Sequence, residues 1–188
     1  IVDQGEIVEV ASEPGQYTFD SSTEPTIFSG NLGESIKQSF ATMGKRFTFG
    51  VAGYPEKHEE AMNLDIDIEY LKAKIDAGAQ YVVTQMFFDN DKYFAFVERC
   101  RAAGIIVPII PGIKPLTSLT QQALLPKTFH IDLPKELADE LRRCKDNDSV
   151  KALGVEWGIA QAKELKAARV PSIHFYSMNA SASIEAIA

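Results

Sequence analysis

Residues 47–89 read FTFGVAGYPEKHEEAMNLDIDIEYLKAKIDAGAQYVVTQMFFD. The order of apolar and polar stretches in this segment decides the fold. Phe47 to Ala52 is a short apolar run closed by Gly53 and Pro55, which suits a buried strand. A polar loop with Tyr54, Glu56 and His58 follows. Asp67 then caps a helix whose Ile68, Leu71 and Ile75 recur at i, i+3 and i+7, with Gly78 as its stop. Tyr81 to Phe88 is a second apolar run, interrupted only by Thr84 and Gln85. Two strands buried on both faces with a helix between them make a parallel βαβ unit. In such units chemistry gathers at the C-terminal ends of the strands, where these polar residues fall.

The alternation continues downstream. Asn90 or Asp91 caps a helix showing Phe94, Val97 and Cys100 on one face, ended by Gly104. Val107 to Ile110 forms a third strand, closed by Pro111 and Gly112. Ser118 to Leu125 is helical until Pro126 stops it, and Pro134 to Cys144 is a further helix. Asp148 or Ser149 opens a long helix through Val150, Leu153, Trp157, Ala160 and Leu165. Ile173 to Met178 is the fourth strand, and a last helix begins at Ser181. Upstream, residues 1–34 form an unassigned segment. GEIVEVASE alternates like an edge strand that pairs with GQYTFD through Glu13-Pro14-Gly15, and SSTEPTIFSGN reads as loop. Ser35 to Met43 has helical spacing. Four strands in strand–helix order fit either half of a (β/α)₈ barrel or a small doubly wound sheet.

Composition excludes several classes. The 188 residues suffice for one substantial core, and 45% hydrophobic with 24% charged residues is ordinary for a globular protein. A net charge of −7 argues against a nucleic-acid surface. No apolar run reaches membrane-helix length. Cys100 and Cys144 match no zinc or redox spacing and read as reduced thiols, fitting a cytoplasmic protein. The opening Ile1 suggests a fragment or a processed product.

The runs VAGYPEKH, LKAKIDAGAQYVVTQMFFD and IIPGIKP together resemble the later half of the methylenetetrahydrofolate reductase family, over about Phe47 to Asn179. The resemblance implies that residues 35–188 are the C-terminal half of a (β/α)₈ barrel, strands five to eight, with helices on one side of the sheet. It implies FAD as cofactor, NAD(P)H as reductant and a folate substrate: flavin-dependent reduction of 5,10-methylenetetrahydrofolate to 5-methyltetrahydrofolate. A homo-oligomer fits the same expectation. The alternative is a non-catalytic flavin- or folate-binding remnant. The family's acid glutamate and flavin-tuning aspartate have no counterpart here, so residues 1–188 alone are expected to be catalytically silent.

By the same resemblance Ala52, Tyr54 and His58 fall on flavin-binding positions, against readings as a rim aromatic for Tyr54 and an exposed imidazole for His58. Asp67 and Lys74 fall where the family contacts the dinucleotide, against readings as a helix cap and a solvated helix residue. Gln85 is an amide in an apolar strand, costly unless partnered, and the resemblance makes it a folate-binding glutamine with donor and acceptor for the pterin. Gln121 maps to a second folate-contacting position. Met86 and Phe87 read as core. Two departures stand out: Ala180 replaces an arginine that binds the folate tail, and Leu125 replaces an aromatic platform.

Overall fold

The computed structural model describes residues 2–3, 6–7, 48, 50–177 and 181–188. A parallel sheet forms its centre. Strands β3 (Gly50–Gly53), β4 (Tyr81–Met86), β5 (Ile109–Ile113) and β6 (His174–Phe175) lie side by side, all parallel. At the β3 edge a two-residue strand β1 (Val2–Asp3) pairs parallel with Val51, and β2 (Glu6–Ile7) pairs antiparallel with β1. The expected edge strand therefore begins at Glu6, paired back on Val2–Asp3. The expected partner in 15–20, the turn at 13–15, the helix 35–43 and Ala180 lie outside the described residues.

Helices α1 (Leu64–Asp76), α2 (Asn90–Ala102), α3 (Gln121–Phe129), α4 (Lys135–Leu141), α5 (Asn147–Ala167) and α6 (Ser181–Ile187) fill the connections. One core cluster joins Val51, Val82, Ile109 and Ile113 to Ile68 and Leu71 of α1, Phe96 and Cys100 of α2 and Leu165 of α5. These helices thus share one face of the sheet. By the period-two alternation of strands, Ala52, Tyr81 and Ile110 belong to the other face, and each is only partly buried. A second cluster covers the strand ends: Met86, Phe88 and Leu116 pack with Leu125, Leu137, Leu141 and Val150.

Apolar periodicity located the elements; local hydrogen bonds moved their ends. The cap of α1 is Asn63, whose side chain accepts from Ile66 N–H, so Asp67 sits inside the helix. Asp89 caps α2 in place of Asn90 or Asp91, and its buried face is Asn90, Tyr93, Phe96 and Cys100, one residue round from the expected Phe94 and Val97. Asp146 caps α5 in place of Asp148 or Ser149, because Ser149 completes a reciprocal capping box with it. Gly78 and Gly104 end their helices at positive φ, as expected. Pro126 does not stop α3. The proline ring removes one intrahelical donor and crowds the carbonyl four residues back, yet α3 continues to Phe129, with Leu125 buried and Phe129 packed beside it.

The third strand also differs. Pro111 and Gly112 lie within β5, because β4 has a bulge opposite them. Val83 pairs with Ile110 and Met86 with Gly112, so β4 spends one extra residue around Thr84 and Gln85. The Gly112 N–H bonds to the Thr84 hydroxyl at 2.9 Å instead of a ladder carbonyl. The freed Thr84 carbonyl accepts from the Tyr176 hydroxyl at 2.9 Å. A Cβ on Gly112 would lie 2.3 Å from the Thr84 oxygen and 2.6 Å from the Tyr176 ring, so only glycine fits.

Candidate functional site

The loop leaving β3 carries the first group of residues. Tyr54 is buried, and its ring meets His58 edge-on with centroids 4.6 Å apart. The His58 N–H donates to Asp67 Oδ2 at 2.9 Å, and His58 Nδ1 accepts from Glu60 N–H at 3.1 Å. Asp67 is pushed above the usual carboxylate range by burial, an effect opposed by the His58 bond and by the positive charges of Lys74 and Lys57. Lys57, at φ 88, donates from Nζ to the carbonyls of His58, Glu59 and Ala61 at 2.7–3.1 Å, which closes the loop into a compact turn. Ala52, Tyr54, His58 and Asp67 are therefore gathered at the C-terminal end of β3. Lys74 lies two helical turns beyond Asp67 along α1, partly buried.

This loop is clasped from outside. Glu56 Oε2 accepts from Asp132 N–H at 3.0 Å, and His130 Nε2 lies 3.0 Å from Glu59. Glu56 Oε1 is buried and has no hydrogen-bond partner among the described residues. Desolvation raises the group to about 7, against the Asp132 bond and Lys92, which lower it.

The second group lies at the ends of β4, β5 and β6. Gln85 sits at the bulge, partly buried, and its Oε1 accepts from the adjacent Met86 N–H at 2.9 Å. The amide oxygen, expected to be available to a ligand, is thus already engaged locally; among the described residues Nε2 has no hydrogen-bond partner. Gln121 opens α3, and its Oε1 accepts from Thr117 N–H at 2.7 Å, which fixes the loop after β5. Leu125, Met86 and Phe87 are core residues at 3%, 3% and 0% exposure.

Lys114 and His174, at this end, were passed over in the sequence. Lys114 is 3% exposed at the close of β5, and among the described residues Nζ reaches only the Tyr176 carbonyl, at 3.5 Å. Its ammonium is pushed down by burial, as is the His174 imidazole, which packs edge-on against Tyr176 at 4.7 Å. The signal was present in IIPGIKP: a charged residue closing an apolar run, by the same logic that singled out Gln85. Glu56 was read as part of the polar loop after β3, but not as a buried carboxylate.

A cleft of about 290 Å³ opens beside Phe88, Asp89 and Asn90, walled by Pro134, Trp157 and Gln161. Asn90, Gln161 and Trp157 of its lining are satisfied internally. Asn90 Nδ2 donates to Glu164 at 2.7 Å, Gln161 Nε2 to the Phe87 carbonyl at 3.2 Å, and Trp157 Nε1 to the Phe88 carbonyl at 2.9 Å. The network anchors the end of β4 on α5. No helix among the described residues is long and apolar enough to cross a membrane.

Comparison with known proteins places these features. A structure of an uncharacterized protein from Clostridium thermocellum, described as binding two copies of 5-methyl-5,6,7,8-tetrahydrofolic acid, superposes with a TM-score of 0.50. At 21% identity, over 75% of this chain and 52% of that one, it supports the parallel α/β fold alone. The probable methylenetetrahydrofolate reductase (NADPH) of Caenorhabditis elegans is 40% identical over 146 residues, covering 77% of this chain and 22% of its own length. Methylenetetrahydrofolate reductase (NADH) 1 of Arabidopsis thaliana is 38% identical over 146 residues, 72% of this chain and 25% of the relative. For the 5,10-methylenetetrahydrofolate reductase of Escherichia coli the values are 37% over 134 residues, 71% and 45%. The chain therefore spans less than half the length of each of these relatives. The family description for methylenetetrahydrofolate reductase matches residues 14–188, and with that extent of match the chain belongs to the methylenetetrahydrofolate reductase family.

Proposed function

We propose that this chain forms strands five to eight of a (β/α)₈ barrel that reduces 5,10-methylenetetrahydrofolate to 5-methyltetrahydrofolate with NAD(P)H and FAD. FAD, when bound, supplies the hydride relay between nicotinamide and folate. The donor set at the β3 rim fits such a cofactor: a ring face at Tyr54, an imidazole at His58 and an ammonium at Lys74 suit a heteroaromatic joined to a pyrophosphate. Ala52 leaves room at the strand end, and Asp67 acts through its hold on the His58 backbone. Gln85 and Gln121 make the folate side, Gln85 donating through Nε2. The partly open face of Ala52, Tyr81 and Ile110 is the face that further strands of a closed barrel would cover.

The observation that carries the reading is the bulge at Gln85. It puts a polar side chain at the C-terminal end of the central parallel strand, between two residues, Val83 and Met86, that are buried. The test uses the full-length protein and separates the half-reactions. Gln85→Leu is expected to slow reoxidation of the reduced cofactor by methylenetetrahydrofolate by roughly tenfold or more, leaving reduction by NAD(P)H nearly unchanged. Equal losses in both would make Gln85 a structural residue and remove the main support for the folate side.

A further inference from the structure

The two lysines at the strand ends present a contrast. Lys57, partly exposed, has three carbonyl acceptors for its three donors, at 2.7–3.1 Å. Lys114 is 3% exposed, yet among the described residues its one hydrogen bond is the 3.5 Å contact to the Tyr176 carbonyl. Among the described residues no carboxylate forms an ion pair with it. A buried ammonium in that state is costly, because desolvation is not offset by short bonds or a counter-charge.

Its position is fixed rather than incidental. Ile109 and Ile113 face the helices, so Gly112 and Lys114 alternate to the other face of β5. Phe175 pairs with Ile113, which sets Tyr176 beside Lys114, and the Tyr176 hydroxyl is tied across β5 to Thr84. The amine thus lies one strand over from Gln85, on the face away from the helices, on a residue that is itself buried.

We propose that Lys114 is a ligand-binding residue whose ammonium donates to the carbonyl oxygen of a pyrimidinone ring seated at the ends of β4 and β5. An ammonium with unused donors, on a buried residue, favours an oxygen that carries partial or developing negative charge. The pterin of a folate and the isoalloxazine of a flavin both present such an edge. The inference rests on the function proposed above, and the two sources are separated by titration.

The experiment measures affinity of the full-length protein for 5-methyltetrahydrofolate and, separately, for FAD, in wild type, Lys114→Met and Lys114→Gln. Lys114→Met is expected to lose about tenfold or more in affinity for one of the two probes. Its melting temperature without ligand is expected to stay level or rise, because the uncompensated amine is gone. Lys114→Gln, which keeps a neutral donor, is expected to bind that probe with intermediate affinity and covers the case of a poorly folding methionine variant. Loss for the folate probe alone assigns the pterin; loss for FAD alone assigns the flavin. Wild-type affinity for both probes in either folded variant overturns the inference, as does a lowered melting temperature with binding unchanged. A wild type that binds neither probe refutes the proposed function itself.

Discussion

At Glu56 one carboxylate oxygen accepts the Asp132 N–H while the other is buried with no partner among the described residues, and burial raises the group to about 7 from 4.5. The folded state then holds the proton more tightly than the unfolded chain. The associated stability is fully present below pH 4.5, declines as pH rises towards 7 and is lost above it. The partial exposure of the residue discounts the effect to on the order of 1–2 kcal/mol. Thermal melts of the wild type are expected to fall between pH 5 and 8, and Glu56→Gln should flatten that decline; a parallel decline in the variant would assign it to other groups. This behaviour was not legible in YPEKH, since it comes from burial of the carboxylate, which only the folded chain decides. Gln85 was legible as an amide in an apolar strand, but the bulge was not. Nothing local announces that Thr84 will bond Gly112 through its hydroxyl and leave the Gln85 oxygen on Met86.

Helix α5 shows how an element's position is set by what it lacks. A Cβ on Gly154 would stand 2.1 Å from the Leu116 carbonyl oxygen, so the helix packs directly on the backbone that leaves β5. On Gly158 a Cβ would meet the tip of the Ile187 side chain at 2.6 Å, a group that is able to swing aside. Gly154→Ala is therefore expected to cost about 1–3 kcal/mol and Gly158→Ala clearly less. Urea unfolding of the two variants checks the order; a larger loss at Gly158 would mean that α5 is free to shift off Leu116. By propensity alone a glycine inside a helix only weakens it. The apolar stripe of Val150 and Leu165 was readable from period alone, whereas the close approach at Gly154 needs the path of the chain after Pro115. Caps were misjudged for a related reason: Asn63, Asp89 and Asp146 are each one of several candidates in a polar run, and backbone geometry selects among them.

For the whole molecule, the parallel order of β3 to β6 was carried by continuous apolar runs and by strand–helix alternation, signals that repeat and reinforce one another. The links between distant parts were not. Asn90, Gln161 and Glu164 come together across more than seventy positions, and only folding brings them to one place. The same link holds the chain's single tryptophan, Trp157, with its indole N–H on the Phe88 carbonyl. An indole in that position is a built-in optical gauge. Its emission reports whether α5 is seated on Phe88, just beyond β4 and three residues past Gln85, with no label added. On urea titration the red shift of that emission should coincide with loss of the far-ultraviolet helix signal if sheet and helix layer melt as one unit. An earlier optical transition would show α5 lifting from the strand ends first, and the rim would then owe its shape to a separable helix rather than to the sheet.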